Sequence, residues 1–364
     1  MRICIVGPAN SAHIVKWCNW FSTHGHEVHV ISFIPGEIEG AHVHLIDVGV
    51  DAGGSDVGKL KYLLTGGQIK KLIREINPDV VNAHYATSYG VAMALSGVKG
   101  YALSVWGMDI YDFPKKSPLH RALLKFSLRR AGFLFSTSQA MADEASQYIK
   151  RKFIITPFGV DTRLFRPVDA AGSDDIFTVG TVKALSDKYG IRHILEAVAE
   201  IREEGEIPIR LRIAGKGPQE EEYHQLAKDL KIDDITTWLG FISQEEAAAE
   251  WAGMDIALVP STLESESFGV SAVEAEACET PVIIADIPGL MEATSPGQTS
   301  LVVPRKDSKA LAEAIRKLYA DPELRKKLGK NGRQYVLEKY ELKHCFRKIE
   351  KCLKKISKIN GDIR

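Results

Sequence analysis

The chain alternates short apolar, β-branched runs with longer stretches of helical spacing, and it does so in two successive series. This alternation is typical of βαβ units, in which parallel strands form a sheet and helices cover both of its faces. We therefore predict an α/β fold with two parallel sheets. The predicted strands are 3–6, 27–33, 80–83, 101–105, 133–137, 154–156, 177–181, 211–214, 236–239, 256–260 and 282–285.

A length of 364 residues is too great for one ordinary hydrophobic core and fits two domains. The joint is predicted at 163–173, where Phe-Arg-Pro leads into a short, small and polar segment before a new strand-first series begins. With the boundary near Pro167, the first domain is 1–166 and the second is 167–344. Residues 342–359 have helical spacing and many basic side chains.

Composition excludes several classes of protein. Charged residues make up 26% and apolar residues 45%, and no apolar run approaches the roughly 20 residues of a membrane-spanning helix. The opening residues lack the pattern of a signal peptide, so we expect a cytoplasmic protein. Five cysteines without a Cys-x-x-Cys spacing indicate neither a disulfide framework nor a zinc site.

The first half of the chain carries a net positive charge. Residues 1–170 carry 19 Lys+Arg and 14 Asp+Glu. The remainder has an equal excess of Asp+Glu over Lys+Arg. Within this half, the stretch 115–130 interleaves basic residues with leucines and a phenylalanine. That pattern fits peripheral contact with an anionic membrane, and it equally fits an ordinary helix whose apolar face packs in the core. We predict no nucleic-acid partner.

Two carboxylates eight positions apart flank a glycine in the second half. Glu266 precedes Phe268-Gly269-Val270, and Glu274 follows them, just after the apolar run 256–261. A helix beginning near Phe268 would direct its free N–H groups and its positive dipole end toward an anion. Gly269 leaves room for a ligand to approach the backbone. The two carboxylates would then reach different parts of one ligand, as a nucleotide-sugar requires.

These residues resemble the retaining glycosyltransferases of family 4, also called group 1 glycosyltransferases. Residues 274–282 read Glu-Ala-Glu-Ala-Cys-Glu-Thr-Pro-Val, close to the family signature, and 158–161, 214–218 and 239–241 follow in family order. The resemblance implies the GT-B fold, with two facing Rossmann-like domains. It also implies that a C-terminal helix, 345–364, packs on the first domain, that the first domain holds the acceptor, and that the second binds the nucleotide-sugar.

Sugar transfer from a nucleotide leaves a diphosphate, whose charge needs a metal or fixed cations and backbone dipoles. The chain contains no Asp-x-Asp, so we predict no metal in the site and assign the charge to lysines. Lys188 matches the family's diphosphate-binding lysine, and Lys183 follows Thr181, which stands where the family has an arginine. The alternative for each lysine is an exposed position in a loop.

The resemblance also implies roles for the two carboxylates. Glu274 would accept hydrogen bonds from the ribose hydroxyls, Glu266 would contact the donor sugar, and Phe268, Gly269 and Val270 would line the nucleotide phosphates. We expect the neighbouring Glu264 and Glu276 to be solvated. Glu279 stands where the family often has glycine.

The first domain offers a second set of candidates. Gly7 begins a turn after the first strand, and this turn would bring its backbone and His13 to the sheet edge. Trp106-Gly107-Met108-Asp109 stands where the family has His-Gly-x-Asp, so Trp106 replaces the histidine that contacts the donor sugar. Trp106 could stack on a sugar or pack in the core, and Asp109 could bind acceptor or shape the loop. For His13 and for His84, which ends a predicted strand, a structural role is the favoured interpretation.

Together these patterns predict a retaining, metal-independent hexosyltransferase. It would use a UDP- or GDP-sugar, a substrate rather than a cofactor, and a glycan, lipid-carrier or small-molecule acceptor. Two alternatives remain, a nucleotide-sugar 2-epimerase of the same fold and a non-catalytic subunit that binds nucleotide-sugar.

Overall fold

The computed structural model describes residues 1–49, 58–168 and 176–363. The chain forms two compact units. Unit 1 comprises Met1–Phe158 with Cys345–Arg364, and unit 2 comprises Gly159–His344. Unit 2 thus begins eight residues before the position at which the sequence analysis placed the boundary. Part of the predicted joint, 169–175, lies outside the described residues.

Unit 1 is built on a seven-stranded parallel sheet with the order β3-β2-β1-β4-β5-β6-β7. The strand order reverses between β1 and β4, and ligands of doubly wound sheets bind at such a switch point. The strands are β1 Arg2–Val6, β2 Glu27–Ser32, β3 Ala41–Leu45, β4 Val80–His84, β5 Ala102–Val105, β6 Phe133–Ser136 and β7 Phe153–Ile155. The helices are α1 Ala12–Thr23, α2 Gly66–Ile76, α3 Ser88–Ser96, α4 Met108–Tyr111, α5 Pro118–Arg130 and α6 Gln139–Ser146, with 3-10 turns at Gly58–Thr65 and Phe113–Lys115.

Unit 2 repeats this plan with a six-stranded parallel sheet of order β10-β9-β8-β11-β12-β13. Its switch point lies between β8 and β11. The strands are β8 Phe177–Val182, β9 Ile209–Ala214, β10 Thr236–Gly240, β11 Ile256–Val259, β12 Val282–Ala285 and β13 Ser300–Val303. The helices are α7 Ile191–Glu204, α8 Glu220–Asp229, α9 Gln244–Ala252, α10 Val270–Ala277, α11 Pro288–Ala293, α12 Ser308–Ala320 and α13 Pro322–Lys339, with 3-10 turns at Asp187–Tyr189 and Asp233–Ile235.

The predicted α/β architecture with two parallel sheets is confirmed, and every predicted strand is present. Two edge strands were not predicted, β3 and β13. β3 reads Ala-His-Val-His-Leu, in which histidines break the apolar run. β13 has only four residues, and one of them, Val302, is exposed. Edge strands lack a neighbour on one side, so their sequences carry a weaker apolar pattern.

A long final helix, α14 Leu342–Ile363, contributes most of its length to unit 1. Its buried face includes Phe346, whose ring lies 6.0 Å from that of Trp17 and 6.3 Å from that of Phe21. Near its end, Asn360 donates a hydrogen bond to the carbonyl oxygen of Gly100 at 3.0 Å. This helix therefore completes the core of unit 1.

The basic amphipathic stretch forms α5. Leu124 and Leu128 are fully buried, so much of its apolar face packs in the core, whereas Leu119 near its start is 64% exposed. Among the described residues, no helix combines the length and the hydropathy that crossing a membrane requires. All five cysteines are free, in line with the sequence analysis, and four are buried.

Candidate active site

The glycine-flanked carboxylates lie at the switch point of unit 2. Helix α10 begins at Val270, close to the predicted start, and Gly269 precedes it with φ 73° and ψ 50°. A side chain at this position would be strained, because its Cβ would lie 2.5 Å from Leu290 Cδ2. No side chain caps the helix, so backbone N–H groups of its first turn remain available to an acceptor.

Lys183 and Glu266 form an ion pair at this edge of the sheet. Lys183 follows β8, and Glu266 lies in the loop after β11, so each comes from one of the two strands that flank the switch point. The Lys183 Nζ lies 3.2 Å from Glu266 Oε1 and 3.1 Å from Oε2. The side chains are only 11% and 8% exposed. Removing either partner would leave the other charge poorly solvated.

Lys188 joins the same group from a different direction. It lies in the turn Asp187–Tyr189, and its Nζ donates a hydrogen bond to the Ser265 carbonyl oxygen at 3.0 Å. The ring of Tyr189 lies beside both ammonium groups, 4.7 Å from Lys183 Nζ and 5.3 Å from Lys188 Nζ. Two cations therefore converge on the segment that leads into α10.

The loop after β11 and the Lys188 turn hold each other in place. Thr262 N–H donates to the Lys188 carbonyl oxygen at 2.7 Å, and its hydroxyl donates to that of Asp187 at 2.8 Å. Gly190 ends the turn with φ 73°, and a Cβ there would lie 2.1 Å from the Pro260 carbonyl oxygen. These contacts fix the spacing between Lys188 and the loop that carries Glu266.

The four glutamates of this region differ in environment. Glu274, inside α10, is 8% exposed, and Glu266 is 7% exposed. Glu264 is solvated as expected, with an exposed ion pair to Arg305 at 3.4 Å. The prediction that Glu276 is solvated is wrong, since its side chain is fully buried.

The burial of Glu276 follows from the packing of α10. Residues 271–277 are all buried, so beyond its first residue α10 has no face that is open to water. Gly332 of α13 makes room for the glutamate, because a Cβ there would lie 3.1 Å from Glu276 Cβ. Burial raises the pKa of Glu276 to about 8. Sequence reasoning missed this residue because acidic residues are rarely fully buried.

The turn that follows α10 contains a residue of unexpected type, Glu279. Glu279 has a left-handed backbone, with φ 62°. Its N–H donates to the Glu276 carbonyl oxygen at 3.0 Å, and Thr280 N–H donates to that of Ala275 at 3.1 Å. This is the hydrogen-bond pattern of a Schellman motif, in which the left-handed residue is usually glycine.

In unit 1 the predicted residues form an aromatic group at the switch point between β1 and β4. The ring of His13 stacks on Phe158 at 3.9 Å, and Trp106 meets these rings edge-on at 5.2 and 5.7 Å. Tyr85 lies 4.4 Å from Trp106. Trp106 and His13 are half-buried, so both keep some accessible surface. Gly7 follows β1 beside this group, and a Cβ on it would lie 3.4 Å from His84 Cβ.

The carboxylate of Asp109 is engaged by the backbone. Its Oδ1 accepts the N–H groups of Trp106 and Gly107 at 3.0 and 2.9 Å, and its Oδ2 accepts that of Ala86 at 2.9 Å. Burial raises the pKa of Asp109, and these hydrogen bonds oppose the rise. The geometry favours the loop-shaping role, in which Asp109 positions Trp106, over direct contact with an acceptor.

His84 is fully buried beside the aromatic group. Burial, with a smaller contribution from the neighbouring His13, lowers its pKa to about 3. The Nδ2 of Asn82 lies 2.9 Å from His84 Nε2 and donates to it. His84 is therefore neutral at physiological pH and packs edge-on against Trp17 at 4.7 Å, as a structural histidine does.

Sequence profiles of two families match the chain. The profile of glycosyl transferases group 1 matches residues 168–335, and that of the glycosyl transferase 4-like group matches residues 2–138. The D-inositol 3-phosphate glycosyltransferase of Pseudarthrobacter chlorophenolicus is 29% identical over 278 residues, which cover 69% of this chain and 65% of that protein. The chain thus spans slightly less than two thirds of this relative.

Two solved structures have the same fold over nearly the whole chain. Sucrose-phosphate synthase from Thermosynechococcus elongatus superimposes with a TM-score of 0.83 at 20% identity, covering 98% of this chain and 99% of that one. Anabaena Alr3699/HepE in complex with UDP gives a TM-score of 0.80 at 18% identity, covering 98% and 100%. These two likenesses establish the fold that the chain shares with them.

Proposed function

We propose that this chain, which belongs to the group 1 glycosyltransferases and has the GT-B fold, transfers a hexose from a UDP- or GDP-sugar with retention of anomeric configuration and without a metal. The observation that carries this proposal is the convergence of Lys183 and Lys188 on the segment between Ser265 and the start of α10. Nucleotide-sugar as donor is also supported by the fold likeness to Anabaena Alr3699/HepE, which has been solved with UDP-glucose.

The two lysines suit a leaving diphosphate. Breaking the bond between the anomeric carbon and the phosphate oxygen develops negative charge on the diphosphate. The ammonium groups of Lys183 and Lys188 and the N–H groups at the start of α10 are fixed dipoles and charges that stabilise such an anion. No Asp-x-Asp is present in the sequence to hold a metal for the same purpose.

The ion pair of Lys183 with Glu266 suggests how donor binding is made favourable. In the protein without donor, each charge satisfies the other. When donor binds, Lys183 turns to the diphosphate, and Glu266 becomes free to accept hydrogen bonds from the sugar hydroxyls. Lys183 and Glu266 therefore each have a partner both before and after the donor binds. Glu274 accepts from the ribose hydroxyls.

Retention follows if the acceptor attacks the face from which the diphosphate leaves. The acceptor hydroxyl forms the new bond to the anomeric carbon, the bond to the phosphate oxygen breaks, and that oxygen takes the acceptor's proton. No covalent enzyme intermediate is needed. The acceptor is a glycan, a lipid-linked sugar or a small molecule, and the half-exposed ring of Trp106 in unit 1 offers a surface for a sugar face. We propose no cofactor, and no epimerase activity, because the family is one of transferases.

The test begins with a thermal-shift screen of UDP- and GDP-hexoses to identify the donor. Donor turnover is then measured in Lys188→Ala and in Lys326→Ala, which removes an exposed lysine of α13 as a control. We expect Lys188→Ala to lose about two to three orders of magnitude in kcat, Lys326→Ala to match the wild type, and EDTA to have little effect. Abolition of activity by EDTA with a mild effect of Lys188→Ala would refute the metal-free mechanism. An inverted anomeric signal in the proton NMR spectrum of the fresh product would refute retention.

A further inference from the structure

We propose that Glu27, His29 and His42 form a binding site for a divalent transition metal, best suited to zinc, on the β2–β3 edge of unit 1. The ligand atoms of these three residues all lie within 4.8 Å of one another. None of them belongs to the candidate active site, because they lie along β2 and β3 rather than in the loops that follow the strands. This site is additional to the proposed transferase chemistry and independent of it.

Strand pairing is what brings the residues together. In the parallel register of β2 and β3, His29 is directly opposite His42, and Ile31 is opposite His44. Alternate residues of a strand share one face, so Glu27 and His29 project on one side of β2, and His42 and His44 project on that side of β3. The rings of His29 and His42 lie 4.9 Å apart. One face of the sheet edge therefore carries three imidazoles and a carboxylate.

The distances suit a metal with nitrogen and oxygen ligands. Zinc binds imidazole and carboxylate at about 2.0–2.2 Å, so tetrahedral ligand atoms lie about 3.4 Å apart. Glu27 Oε1 and His29 Nε2 are already 3.0 Å apart. Glu27 and His42 are exposed, so small rotations of their side chains bring all three ligand atoms to the metal. The open side toward solvent leaves the fourth position to water.

His44 supports the site as a neighbour of a ligand. Its Nε2 lies 3.0 Å from His29 Nδ1. Once His29 Nε2 binds the metal, Nδ1 carries the proton and donates it in a hydrogen bond to His44, which is the arrangement that fixes metal-binding histidines. The Nε2 of His44 is the acceptor in this arrangement.

Glu27 can serve as a ligand without losing its present ion pair. Its Oε2 lies 2.9 Å from Arg2 Nε, while its Oε1 is the oxygen directed at His29. One oxygen can therefore bind metal while the other stays with the guanidinium.

The test uses the full chain without a polyhistidine tag, stripped with EDTA and dialysed. Zinc is titrated calorimetrically in wild type, Glu27→Gln, His42→Ala, His44→Gln and, as the control, His24→Ala, which removes an exposed histidine of the same unit. We expect one zinc per chain in the wild type and the control. We expect at least about a hundredfold weaker binding in His42→Ala and Glu27→Gln, and about 10–100-fold weaker binding in His44→Gln. Cobalt should give the visible absorption of a tetrahedral site in the wild type and should not give it in Glu27→Gln or in His42→Ala.

Because Glu27 and His42 are exposed, neither substitution opens a cavity, and circular dichroism will confirm that the variants fold. Zinc should also raise the melting temperature of the wild type and leave that of His42→Ala unchanged. Absence of saturable zinc binding in the wild type would overturn the site. So would wild-type affinity in both His42→Ala and Glu27→Gln. Transfer activity is expected to be the same in zinc-loaded and stripped enzyme, so failure of this site would leave the proposed function untouched.

Discussion

Replacing Glu276 by glutamine should change how the stability of unit 2 depends on pH. Burial raises the pKa of this glutamate from 4.5 to about 8. Between these values the folded protein keeps a proton that the unfolded chain releases, so the folded state loses stability as the pH rises. At about 1.4 kcal/mol for each pH unit, the loss over this range amounts to about 5 kcal/mol by pH 8. Glutamine has the same size and does not ionise, so Glu276→Gln should escape this loss.

The measurement is urea unfolding of wild type and Glu276→Gln at fixed pH values between 5 and 9. Pulse labelling by hydrogen exchange, read in peptides from α10 and β11, follows unit 2 alone. We expect similar stability for the two proteins at pH 5. By pH 8 the variant should be more stable by several kcal/mol. Glu264→Gln is the control, because the Glu264 side chain is 42% exposed and pairs with Arg305, whose side chain is 38% exposed.

A difference between wild type and Glu276→Gln that stays constant from pH 5 to pH 9 would refute this reasoning. It would mean that Glu276 has the same pKa in the folded and the unfolded chain. A pH-dependent difference of equal size in Glu264→Gln would show instead that the effect comes from net charge and not from burial.

Three further substitutions address the donor site and the end of α10. Glu274→Ala should weaken binding of the nucleoside diphosphate by about 1–3 kcal/mol in calorimetry, and unchanged affinity would exclude contact with the ribose. Glu266→Gln should mainly lower kcat and should not weaken binding of the nucleoside diphosphate, because Lys183 no longer has to leave a charged partner to reach it, whereas weaker binding with unchanged kcat would exchange the two roles. Glu279→Gly should stabilise the protein by about 1 kcal/mol in thermal unfolding, because glycine adopts the left-handed backbone without steric cost, and a lower melting temperature would contradict this.

The sequence was sufficient to predict the two sheets, because buried parallel strands are continuous apolar runs separated by helical spacing. It also predicted that Lys183, Lys188 and Glu266 lie close together, and the structure brings these three residues to one segment. It did not predict that Lys183 and Glu266 pair with each other, since that contact depends on which two strands meet at the switch point and on where each side chain turns. The order of residues along the chain predicts neither the neighbouring strands nor the directions of the side chains.

The residues that sequence reasoning misjudged or missed depend on packing between distant segments. Glu276 is buried because α13 covers the remaining face of α10, with Gly332 leaving space for the carboxylate. The histidines of β2 and β3 meet only because the two strands pair in one particular register. A shift of the register by one residue would move the histidines of β3 to the other face. No local spacing specifies that register.

Unit 1 is assembled from both ends of the chain, and this has a consequence for biosynthesis. The first 158 residues are made before unit 2, but the segment from Cys345 onward is made after it. Until then the surface formed by Trp17 and Phe21, which Phe346 covers in the finished protein, remains bare. This aromatic surface of unit 1 is therefore exposed to water while the whole of unit 2 is synthesised. During translation, chaperones would bind at this aromatic surface. If the chain were released before Phe346 covered it, the exposed surface would promote aggregation.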